Sequence, residues 1–181
     1  MPETAGSLAP AGRLPELPAP AAPWPCWVVW LSQAIQQVGA YEVPLSAGQL
    51  RQLVDGLAAL AARLETEATC ALDQQRRTRA GMQAKAFLHR QYLRLSAASQ
   101  QCDEARLLVG TLAQRVSREQ LARLPHRHRP GVSGPDRLRQ QVRQQLVSLR
   151  AALERLGSSS RPGGVVSHLA GSASLEGGEH R

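Results

Sequence analysis

The chain has 181 residues, with 22 Lys and Arg against 14 Asp and Glu and a formal charge of +8. Three Trp, two Tyr and one Phe are its whole aromatic supply, and every Trp falls between positions 24 and 30. That excludes a thick aromatic core and leaves Leu, Ala and Val to build the contacts, a supply that suits narrow helix seams.

Residues 1–25 hold seven of the twelve prolines. Missing amide donors and fixed φ angles predict a disordered Pro/Ala-rich arm. From 26 to 40 the spacing predicts a short amphipathic helix, with Trp27, Trp30, Leu31, Ala34 and Val38 on one stripe and Gly39 at its end. Trp27, Trp30 and Leu31 are large, apolar and far from charge, so they are candidates to anchor in a partner groove.

Ser46 and Gln49 then form a capping-box signature, with Leu45 and Leu50 in the positions of a hydrophobic staple. No proline follows until Pro125, and a continuous helix over 46–124 would be on the order of 120 Å long. Leu50, Leu53, Leu57, Leu60 and Leu64 keep the 3-4 spacing of a coiled-coil seam. The same frame then meets Glu67, Gln74, Thr78, Gly81 and Lys85, beside Arg76, Arg77 and Arg79. Apolar spacing resumes at Leu88, Tyr92 and Leu95 and continues through Cys102 to Val116, shifted by about three residues. A hinge over 78–83 is expected, and the lack of a turn-forming cluster favours a bend over a hairpin.

A Pro/His/Arg loop over 125–135 should reverse the chain, and Ser133 with Asp136 gives a second capping signature. The helix expected over 136–156 carries Leu138, Val142, Leu146, Leu149, Leu153 and Leu156 on one face and is stopped by Gly157. Arg139, Arg143 and Arg150 line its flank as candidate anion-binding residues, and residues 127–156 carry +5 of the net charge. The Ser/Gly-rich stretch 157–181 is expected to be disordered, having too little apolar surface to offset backbone entropy.

No constellation for catalysis emerges. His126 and His128 sit between arginines that oppose a metal ion, and Asp103 and Glu104 project about 100° apart on a helix. His89 falls beside the resumed stripe as an exposed helix residue. Cys102 lies on an apolar stripe as a small hydrophobe, and Cys70 has Glu67 and Asp73 near it, which disfavours a thiolate. With Cys26, the cysteines form neither a disulfide framework nor a ligand pattern. The longest apolar run, 26–31, is far short of the roughly 18 to 20 residues that span a bilayer. The start of the chain lacks a basic region followed by an apolar one, so the expected location is intracellular, cytoplasmic or alternatively nuclear, and not secreted.

The expectation is an all-α, elongated, coiled-coil-like protein with no enzymatic activity and no cofactor or metal. Over 46–156 its layout resembles small helical subunits of multi-protein assemblies such as lysosome-positioning, spindle-augmenting or kinetochore complexes. That resemblance is one of layout; the exposed apolar seams themselves lead to the expectation of an adaptor or structural subunit binding partner helices, of its own kind or another, through Leu50, Leu53, Leu57, Leu60 and Leu64, through Leu138, Val142, Leu149 and Leu156, and through the Trp face. The alternative is a basic accessory protein that holds nucleic acid or an acidic protein surface on the last helix. Base-stacking aromatics are missing there, which weighs against it.

Overall fold

The structure is a computed structural model that describes residues 14–40, 45–79, 81–121 and 134–159. Helix α1 (Trp24–Gly39) begins two residues before the expected start, because Pro25 sits in the first turn, where its missing amide leaves no bond unmade. It ends at Gly39, with Ala40 extended. Helix α2 (Ala47–Arg77) opens on the expected capping box. The Gln49 amide donates to Ser46 Oγ at 3.2 Å, and the Ser46 amide donates to Gln49 Oε1 at 2.8 Å.

The long helix breaks where the hydrophobic frame breaks, and there it reverses. Thr78 is extended (ψ 123°), its amide closing the last turn on Gln74. Helix α3 (Met82–Leu121) starts immediately after, with the amides of Ala84 and Lys85 donating to Gly81. The expected bend is therefore a tight helical hairpin, and the longest element is 40 residues, about 60 Å. The reason lies in burial. Straight or bent, the chain would leave both the leucine stripe of α2 and the resumed stripe of α3 in water, whereas reversal lays one on the other. A connection of four residues suffices for an αα-hairpin without a Pro/Gly cluster. The three-residue phase shift needs no overwinding, since the two stripes belong to different helices.

Helix α4 (Gly134–Ser159) returns alongside α3, with Gln145 Nε2 3.0 Å from Glu104 Oε2. It also packs against α1: Arg143 lies over Gly39, and Trp24 over Gly157. These pairings run antiparallel, so consecutive helices alternate up and down around one core. Gly157 does not stop α4 but lies within it, two residues before its end. Trp24 packs over it, its Cβ 3.6 Å from where a side chain at 157 would begin, an ordinary contact distance. The second capping signature at Ser133, the loop histidines and both far termini, 1–13 and 160–181, lie outside the described residues.

The edge between α1 and α2 is closed differently from the other three. It is bridged by large side chains: Trp30 rests on Gly56, where any Cβ would overlap its ring, and the Arg63 guanidinium stacks 4.0 Å from the Trp24 ring centroid. Residues 14–23, within the arm expected to be disordered, run along this edge without regular structure. Leu14 packs on the core, Leu17 reaches the Gly56 surface, and Arg63 donates a hydrogen bond to the Ala22 carbonyl.

Candidate functional site

The residues expected to meet a partner helix are buried within the chain. Trp27, Trp30, Leu31, Leu50, Leu53, Leu57, Leu60, Leu64, Leu138, Val142, Leu149 and Leu156 belong to one cluster contributed by all four helices. In this fold the facing stripe that the α2 seam needs comes from α3 of the same molecule, tethered by four residues. A tether that short gives an effective concentration in the millimolar range or above, which a separate chain must exceed. Trp27 and Trp30 meet edge to face at 5.9 Å inside this core. Both are buried in the isolated chain, Trp27 at 0 % and Trp30 at 4 % exposure.

The candidate anion-binding arginines are partly engaged. Arg150 pairs with Glu154 at 3.4 Å, the Arg143 stem covers Gly39, and Arg139 is half-buried. The polar groups set aside as non-catalytic have separate neighbours. Asp103 pairs with Arg106 at 3.2 Å, Glu104 accepts from Gln145, and exposed His89 lies 6.3 Å from the Tyr92 ring. Among the described residues no three His, Cys, Asp or Glu gather as a metal ion would require, and no helix is long and apolar enough to cross a membrane.

Cys102 is buried, its thiol donating to the Leu57 carbonyl at 3.1 Å, while Cys26 and Cys70 are exposed; all three are free thiols. Burial, reinforced by adjacent Asp103, pushes the Cys102 thiol up from 9.0 to about 12, against weaker opposing effects of Arg106 and the Ala61 backbone. Because the folded value lies above the unfolded one, this group favours the fold below pH 9 and loses that contribution as pH rises through 9 to 12. In the native protein at pH 8, iodoacetamide is expected to modify Cys26 and Cys70 and to reach Cys102 only on unfolding, as peptide mass mapping would show. Rapid native labelling of Cys102 would contradict the buried placement.

Exposed apolar side chains are spread over the bundle, Leu107 and Val29 among them, but at the α2–α3 turn they occur beside a run of cations. Trp24 and Leu156, near the adjoining ends of α1 and α4, lie level with Glu67 on α2 and with Arg90 and Gln91 on α3. Beyond that level the hairpin continues past the described ends of α1 and α4 for nearly three turns, about 15 Å. Arg76, Arg77, Arg79 and Lys85 are exposed on this projection and Arg90 and Arg94 are exposed at its base, and Asp73 is the one carboxylate between 73 and 94. Met82 is 88 % exposed at its tip, and Phe87 51 % exposed on its flank. At its base a cleft of about 280 Å³ lies between Trp24, Phe87, Leu95 and Leu156, with Glu67 and Arg90 at the rim. Sequence reasoning noted the basic cluster but treated it only as a break in the seam. Its prominence follows from a length difference between helices that no local pattern states.

No family model matches the chain, and no curated protein or solved structure shows significant similarity to it.

Proposed function

We propose that the chain is a non-enzymatic adaptor or structural subunit of a multi-protein complex, and that it meets an acidic partner protein through the projecting α2–α3 end. The observation that carries this reading is the composition of that end, four exposed cations on the projection and two more at its base against one carboxylate, interleaved with Met82 and Phe87. Arg, Met and aromatic side chains are the types enriched where proteins bind one another. Cations of this density steer an acidic surface toward the tip, and the cleft at the base can take an apolar side chain. The leucine seams serve the reading indirectly, by packing the base of the projection into the bundle.

Nucleic-acid binding through α4 has less support, because Glu154 already balances Arg150 and the Arg143 stem is laid over α1. The two are separated by affinity purification of the full chain with mass spectrometry, with and without nuclease. Under the adaptor reading, R76E/R77E/K85E keeps the helical signal and loses a nuclease-resistant set of protein partners, while changing Arg139, Arg143 and Arg150 to Gln leaves that set intact. Nuclease-sensitive recovery, lost in the glutamine variant and kept in the glutamate one, overturns it.

A further inference from the structure

We infer that the groove between α1 and α2 is a docking site for an extended, leucine- and proline-bearing segment of a partner polypeptide, and that residues 14–22 of this chain occupy it as an exchangeable stand-in. The groove is built at the one edge of the bundle where large side chains, not close-packed backbones, join the helices. Trp30 forms part of its wall, and Gly56 beneath it leaves a shallow seat where a side chain would overlap the ring. Into this seat the chain lays its own Leu14-Pro15-Glu16-Leu17-Pro18, with Leu14 on the core and Leu17 against Gly56.

The strap fits the groove in chemistry but fills it poorly. Leu17 remains 45 % exposed, and an open cleft of about 1030 Å³ persists between the strap, α1 and α2. Gln33 from α1 and Gln52 from α2 also line that cleft. An aromatic wall flanked by amide side chains is the surface that extended proline-rich segments use, since proline pre-orders the peptide and the amides can meet its carbonyls. The strap is fixed firmly at one end, where Arg63 holds the Ala22 carbonyl and the Ala22 amide turns back to Ala19 at 2.8 Å. Ahead of that clamp its hold rests on part-buried Leu14, Pro15 and Pro18 and on the half-exposed Leu17, none of them fully buried, so a partner segment of the same kind can displace it without unfolding the bundle. This site is separate from the projecting tip, and its test does not depend on the tip's partner.

The probe is a synthetic peptide of residues 14–23, LPELPAPAAP, titrated into the full-length chain and into full-length L14S/L17S, with the Trp30 indole resonance as readout. Removing the tethered competitor is expected to tighten peptide binding at least tenfold in L14S/L17S relative to wild type. A peptide with both leucines changed to serine should bind neither. Equal binding to both proteins, or no binding to a folded L14S/L17S, overturns the inference. Loss of helical signal in that variant also overturns it, by making the strap an integral part of the core. Concentration-dependent dimerisation of the wild type that disappears in L14S/L17S would assign the groove to a second copy of this chain, overturning the partner-peptide reading.

Discussion

Replacing Leu53 and Leu60 together with aspartate is expected to unfold the chain. Both are 0 % exposed among side chains from all four helices. Removing a buried leucine alone costs about 2–5 kcal/mol, and each new carboxylate must be desolvated or protonated at a further cost of several kcal/mol. Against a usual stability of about 5–15 kcal/mol, two such changes leave no folded population. The seam spacing by itself leads to another expectation, loss of association with helicity retained. Circular dichroism of the purified variant decides between them: a native helical signal and melt would place these leucines outside the core of the isolated molecule.

Shortening the chain at its start should have an effect that depends sharply on where the cut falls. A chain spanning 14–159 is expected to melt as the full protein does, since the sequence outside it has no periodic apolar face. A chain spanning 26–156 removes Trp24, which is 8 % exposed and stacked under Arg63, together with the Ala22 carbonyl that Arg63 holds. It also removes Gly157, on which Trp24 rests. Loss of a buried tryptophan costs about 3–5 kcal/mol, so the shorter chain should melt well below the longer one. Coincident thermal transitions for the two would show that Trp24 and the strap contribute nothing. This outcome differs from the dispensability that proline content suggests for the whole of 1–25. Proline forbids regular structure but does not prevent an irregular segment from packing.

The sequence by itself determined the helical class, the apolar face of every helix and the capping box at Ser46, because caps and amphipathic stripes are local devices set by residues three and four apart. It also located the break near Thr78 through the interrupted leucine frame. Tertiary structure alone decided that the break is a reversal and that the leucine seam of α2 is answered by Leu95, Cys102 and Val109 of the same chain. The choice between a partner's stripe and one's own depends on tether length and total burial, which no window of sequence contains. The same holds for the strap and for the exposed basic end. Leu14 and Leu17 have no period to mark them, and the projection exists only because α2 and α3 run past the adjoining ends of α1 and α4.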